Sequence, residues 1–185
     1  EEEYYESCSE REASYADLSP GLADQLDCPV LVTDRLVLRP PHTEDVDAIS
    51  YLANNARVST MLARMPHPYT RENAVDFVER VRKGEMGNCI YAITQAETGI
   101  FMGCCGIHPH SHGEGLEIGY WLGEPYWGHG FATDAAHALI DLAFRATPIE
   151  RLHVSCHSQN GCSRRLIHKC GFPFSNIGRS ASLAV

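Results

Sequence analysis

Nowhere in the 185 residues does an apolar run approach the roughly 20 needed to span a bilayer, which argues against a membrane protein. The N-terminus is Glu-rich and holds no apolar stretch, so it does not read as a signal peptide. The chain starts at Glu1 instead of Met and reads as processed or partial. A basic excess is missing as well. The formal net charge is −9, and residues 1 to 27 hold nine acids against Arg11 alone. The rest of the chain, with 15 acids and 14 bases, is close to neutral, which leaves no electrostatic footprint for nucleic acid. Metal-type cysteine spacing is absent: among eight cysteines Cys104 and Cys105 are adjacent, and no C-x-x-C occurs. A secreted disulfide framework calls for a shorter, loop-rich chain. The cysteines therefore read as reduced, mostly buried thiols of a cytoplasmic protein, several of them in apolar runs where Cys packs as a small hydrophobe. There is also no G-x-G-x-x-G and no G-K-[ST], which excludes the Rossmann and Walker phosphate loops.

What is present is the composition of one globular domain, 44 % apolar and 21 % charged, long enough to bury a core. Residues 1–28 read as a solvated acidic tail and 29–185 as the folded domain. Val30 to Arg39 is β-branched and alternating, a strand stopped by Pro40-Pro41. Thr43 is placed to cap a first helix and Thr70 a second, with Ala74, Phe77, Val78 and Val81 at helical spacing. Strands are expected at Cys89 to Thr94, from the Gly99 turn through Ile107, and at Leu116 to Leu122, as an antiparallel meander. A helix over 130–145, a strand from Arg151 to Cys156 and a helix over 161–170 follow, the last stopped by Gly171.

The chemistry concentrates where the strand ending at Leu122 runs through Glu124-Pro125-Tyr126-Trp127-Gly128-His129-Gly130 into a helix opening with Phe131-Ala132-Thr133. Such a turn aims several free backbone N–H groups at one spot, and the helix dipole adds positive potential. Gly128 and Gly130 carry no Cβ and let the backbone approach a ligand closely. On these residues alone the turn reads either as an anion site suited to a pyrophosphate or as an ordinary glycine-rich helix start.

Four segments in order resemble the GCN5-related N-acetyltransferase (GNAT) superfamily, in the branch of ribosomal-protein N-terminal acetyltransferases such as RimJ and RimL. They are Thr33-Asp34-Arg35-Leu36-Val37-Leu38-Arg39-Pro40, Glu117-Ile118-Gly119-Tyr120-Trp121-Leu122, Trp127 to Thr133, and Asn160 to Phe172 with its Lys169-Cys170-Gly171-Phe172 end. The resemblance spans roughly Val32 to Phe172. It implies an α/β (α+β) fold: a mixed, mostly antiparallel sheet flanked by about four helices, with two splayed strands forming an acyl-CoA cleft. Acetyl-CoA would be the co-substrate. Backbone near Trp121 and Leu122 would pair with its pantetheine arm. Trp127, Gly128, His129, Gly130, Phe131, Ala132 and Thr133 would hold its pyrophosphate, and Asn160 and Ser163 would lie along the arm near the sulfur. A primary amine would attack the thioester directly, with Glu117 as base and Ser163 or Tyr120 as proton donor.

Each role has a plainer alternative: a solvated or salt-bridged strand residue for Glu117, a locally bonded helix residue for Ser163, a wall aromatic for Tyr120. Nothing sets a His and an acid in defined relation to Cys162 or Cys170, so covalent catalysis is not expected. His108, His110 and His112 alternate and would suit Zn²⁺ on one strand face, yet they sit in a Pro- and Gly-bounded hairpin and read as solvated; no metal is expected. The chain departs from the family at its end. Only 13 residues follow Phe172, room for at most one strand, where the family has about two. The acceptor pocket is then incomplete, differently built or shared with another chain. The acceptor, a protein N-terminus or a small-molecule amine, stays open, and Met61, Met65 and Tyr69 read equally as a partly apolar wall or as core packing. A catalytically inactive CoA-binding module, or an interaction protein working through its acidic head, are the rival readings, and a monomer or homodimer is expected.

Overall fold

Alternating apolar residues build the sheet hairpin by hairpin. The computed structural model describes residues 2–10, 26–87, 89–110 and 115–180. Its strands are β1 (Glu2–Glu10), β2 (Leu31–Val32), β3 (Leu36–Arg39), β4 (Cys89–Gln95), β5 (Phe101–Pro109), β6 (Leu116–Leu122), β7 (Arg151–His157) and β8 (Phe174–Ser180). They lie side by side in the order β2-β3-β4-β5-β6-β7-β1-β8. Every pairing is antiparallel except β6 with β7. The helices are α1 (Val46–Ala53), α2 (Ala56–Ser59), α3 (Arg71–Arg82), α4 (Phe131–Ala146) and α5 (Gly161–Lys169). None of them is long and apolar enough to cross a membrane.

Helices cover both faces, which is why β5 is buried from Phe101 through Ile107. The two-residue period sends Cys104 to the core shared with α1 and α3, beside Ala92 and Ile49, and Cys105 to the core under α4, beside Tyr91 and Leu139. The α3 start follows expectation: Thr70 Oγ accepts from the Asn73 amide at 3.2 Å. So does the α5 end, where Gly171 (φ 87°) lets its own N–H reach the His168 carbonyl and that of Phe172 reach Ile167.

Four expectations are corrected. The strand read over Val30 to Arg39 is a tight hairpin, because Thr33 accepts from the amides of Arg35 and Leu36 and turns the chain. The first helix is not capped by Thr43: a 3-10 turn, Thr43–Asp45, precedes it, and the buried Asp45 carboxylate accepts the His42 amide at 2.7 Å. Cys28 and Cys89 are joined as a disulfide, while Cys104, Cys105 and Cys156 are buried free thiols. The fold brings residues 61 apart together there, which linear spacing does not show.

The largest correction concerns the ends of the chain. Glu2–Glu10 is not a solvated arm; it is β1, inserted between β7 and β8. Of the rest of the expected tail, residues 1 and 11–25 lie outside the described residues, and Leu26 is buried in the core. Tyr5 holds β1 in place. Its ring is 4 % exposed in the core, packs on Phe174 at 4.9 Å and lies under the Arg164 guanidinium at 5.2 Å, and its hydroxyl is 2.9 Å from His168 Nε2. Burying a ring of this kind contributes about 1.5–3 kcal/mol, enough to hold an otherwise acidic segment. One strand, β8, follows Phe172, and the strand beside it comes from the opposite end of the sequence.

Candidate active site

The site starts from a mismatch of strand directions. β6 and β7 run parallel and pair only from Leu116↔Leu152 to Ile118↔Val154. Both strands continue, β6 to Leu122 and β7 to His157, so they separate beyond that point. A cavity of about 530 Å³ opens here, lined by Glu117, Gly119, Tyr120 and Trp121 from β6 and by Ser155 and Cys156 from β7.

On one side of the opening Glu117 is 6 % exposed, and Ser155 Oγ donates to its Oε1 at 2.5 Å. Register places His108 of β5 and His153 of β7 beside it on the same face. His153 stacks on His110 at 4.0 Å, and burial, with His110 adding to it, holds its imidazole below the usual range. On the other side Tyr120 Oη lies 2.5 Å from Ser163 Oγ. Burial pushes the Tyr120 phenol well above its ordinary range, against the opposing effect of that hydrogen bond, so it stays protonated near neutral pH. Ser163 is fixed in turn by its own amide, which donates to Asn160 Oδ1 at 3.0 Å as α5 begins. Burial also pushes the Cys156 thiol up to about 11, which leaves it protonated.

The glycine loop lies beyond the end of β6. Gly128 and Gly130 have φ of 77° and 78°, so both occupy the left-handed region that a side chain disfavours. Gly130 precedes α4 and no side chain caps that helix, which leaves the amides of Phe131, Ala132 and Thr133 facing outward. Trp127 Nε1 donates to the Leu122 carbonyl at 2.8 Å, folding the loop back on the strand. Two residues without an expected role brace this loop. Arg35 donates to the His129 carbonyl and to Asp134 Oδ2, both at 2.7 Å, with its guanidinium 4.8 Å from the Phe131 ring centre. Glu124 is held by Arg57 and by Asn55 Nδ2, and Arg57 lies over Trp127.

Thus Glu117, Tyr120 and Trp121 meet in one cavity, Ser163 and Asn160 join it through Tyr120, and residues 127–133 form a separate loop that does not line it. His112 lies outside the described residues. Among the described residues no group of three His, Cys, Asp or Glu is arranged to hold a metal. Sequence reasoning missed Arg35, although it stands inside the Thr33-to-Pro40 segment, and it missed Ser155 and Glu6, which no local pattern ties to Glu117.

A family model for the acetyltransferase (GNAT) domain matches residues 35–173. A relative of Bacillus subtilis (strain 168), the uncharacterized protein YkkB, is 30 % identical over 152 residues, covering 80 % of this chain and 88 % of its own. The uncharacterized N-acetyltransferase p20 of Bacillus licheniformis is 29 % identical, covering 77 % and 81 %. Among solved structures, Mycobacterium smegmatis RimJ in complex with CoA-disulfide superposes with a TM-score of 0.64 at 21 % identity, covering 76 % of this chain and 71 % of RimJ. The chain belongs to the GNAT acetyltransferase family and is an N-acetyltransferase.

Proposed function

We propose that the protein transfers an acetyl group from acetyl-CoA to a primary amine, either a protein N-terminus or a small-molecule amine, by direct attack in a ternary complex. The observation that carries this reading is the pair of opposite chemistries on one cavity: a buried carboxylate, Glu117, and a protonated Tyr120–Ser163 hydroxyl pair where β6 and β7 separate. Glu117 takes a proton as the amine nitrogen bonds to the thioester carbonyl carbon. The carbon–sulfur bond breaks, and the Tyr120–Ser163 pair supplies the proton to the leaving thiolate. The β6 edge at Trp121 and Leu122, beyond the last pair with β7, receives the pantetheine arm. The amides of residues 128–133 receive the pyrophosphate, with Trp127 and Arg35 shaping the loop and Asn160 holding Ser163 in place. The residues present fit that ligand: two left-handed glycines, an uncapped helix start and an adjacent guanidinium. No metal enters the chemistry of this reading. In this reading the protein works in the cytoplasm as a monomer or homodimer.

The rival is a CoA-binding module without turnover. Release of free CoA thiol, followed with a panel of amines, separates the two. Glu117→Gln is expected to lower kcat/KM by about 10²–10⁴-fold near pH 7.5 while acetyl-CoA still binds. Tight acetyl-CoA binding with no thiol release for any amine would favour the inactive module.

A further inference from the structure

The β1 strand brings a second carboxylate into the same cavity. Tyr5 points into the core, so the two-residue period turns Glu6 to the opposite face, where it lines the cavity with Glu117. Glu6 pairs in register with Ser155, the residue whose hydroxyl donates to Glu117. Glu6, Ser155, His153 and Glu117 therefore share one sheet face across three adjacent strands. The β1–β8 register shifts between Glu6 and Ser7, and a shift of register re-aims the side chains beside it. Among the described residues neither Glu6 nor Glu117 has an ion-pair partner. The facing wall is mostly apolar and adaptable, with Met61, Met65, Phe77, Met86 and Ile90, and it also carries the Arg64 side chain, while His108 and His110 line the sheet side. At about 530 Å³ the cavity has the size of a small-ligand pocket.

Resting on the acetyltransferase reading, we propose that Glu6 is a specificity-determining residue of the acceptor pocket. It selects a primary amine with an apolar body and no anionic group beside the nitrogen. The amine is drawn in as an ammonium by the field of two carboxylates and sheds one proton to solvent to become the nucleophile. It lies between Glu6 and Glu117, which takes the second proton on attack, while the apolar body packs on the methionine wall. A carboxylate on the carbon next to the nitrogen would enter the field of both glutamates and is repelled, Arg64 on the methionine side being too far from the nitrogen's place on the sheet face in this arrangement to hold it. Free α-amino acids are thereby rejected, and amines or N-terminal residues in peptide linkage are accepted. The carboxylate that discriminates is supplied from the first strand of the chain, far in sequence from the rest of the site.

The test compares two probes that differ only in that carboxylate, 2-phenylethylamine and phenylalanine, with the unaltered chain, Glu6→Gln and Glu6→Lys. Acetyl-CoA affinity is measured alongside as a check on folding. The unaltered chain should prefer 2-phenylethylamine by about 100-fold in kcat/KM. Glu6→Gln should raise its KM about tenfold and narrow the preference by about the same factor, and Glu6→Lys should narrow it further, with acetyl-CoA affinity kept. The proposal is overturned if Glu6→Gln leaves KM and preference unchanged, if phenylalanine serves equally well, or if acetyl-CoA binds and neither probe is acetylated. Absence of acetyl-CoA binding by the unaltered chain would instead remove the acetyltransferase reading itself, and this proposal with it.

Discussion

Tyr120 Oη and Ser163 Oγ lie 2.5 Å apart although 43 residues separate them. The contact joins β6 to the first turn of α5 across the gap where β6 and β7 part. It couples a phenol that burial keeps protonated to a hydroxyl fixed by the Asn160 cap, so a proton can be delivered without either group leaving its place. Tyr120→Phe is expected to lower kcat by about 10²–10⁴-fold, with acetyl-CoA affinity changed far less. Ser163→Ala should reduce kcat less, since the phenol remains. Single-turnover acetyl transfer checks both variants. Equal kcat for Tyr120→Phe and the unaltered protein would remove the proton-donor role.

Arg35 holds the glycine loop through the His129 carbonyl and Asp134 while its side chain is 44 % exposed. Its geometry matters more than its charge. Arg35→Ala should weaken acetyl-CoA binding about tenfold, and Arg35→Lys should restore little, because one ammonium cannot serve both partners along the guanidinium edge. The KM for the amine should be unaffected. Binding calorimetry on both variants is the measurement.

Asp45 and Arg39 form a two-pronged pair at 2.8 Å on each prong, at the turn that leads into α1. Burial tends to raise the Asp45 carboxyl, and the Arg39 hydrogen bonds together with the His42 amide outweigh it and lower it. The folded-state pKa is thus below the unfolded value of about 3.9, and the unfolded chain binds more protons. The stabilisation is present above that pH and is lost as pH falls through the folded value. Asp45→Asn should cost about 1–3 kcal/mol at pH 7. Relative to the unaltered chain, its denaturant midpoint should flatten with pH below about 4. Urea titrations at several pH values test this.

Much of the site is local and so could be read from sequence. The glycines of the loop, the Asn160 cap and the Gly171 stop each act within a few residues of themselves, and all are found where the spacing places them. What depends on register was hidden. Glu6 meets Ser155 across strands, and the composition around it, with Glu1, Glu2, Glu3 and Glu10, pointed to solvent. Only Tyr5 marked that segment as a core strand. Cys28 and Cys89 are likewise brought together by tertiary packing. Thr43 lost the cap because Asp45, two residues later, reaches the His42 amide and is fixed there by Arg39.

In the proposed complex the loop from Gly128 to Thr133 and the gap between β6 and β7 form one acetyl-CoA site. Calorimetric titration of acetyl-CoA into the unaltered chain and into Gly130→Glu tests it most directly, with circular dichroism confirming that both are folded. At Gly130 a Cβ would stand 3.1 Å from Arg35 Nη2 at a φ of 78°, and the added carboxylate would sit among the amides offered to phosphate. Micromolar binding by the unaltered chain, abolished in Gly130→Glu, is the predicted result. A folded, unaltered chain that does not bind acetyl-CoA would rule this site out.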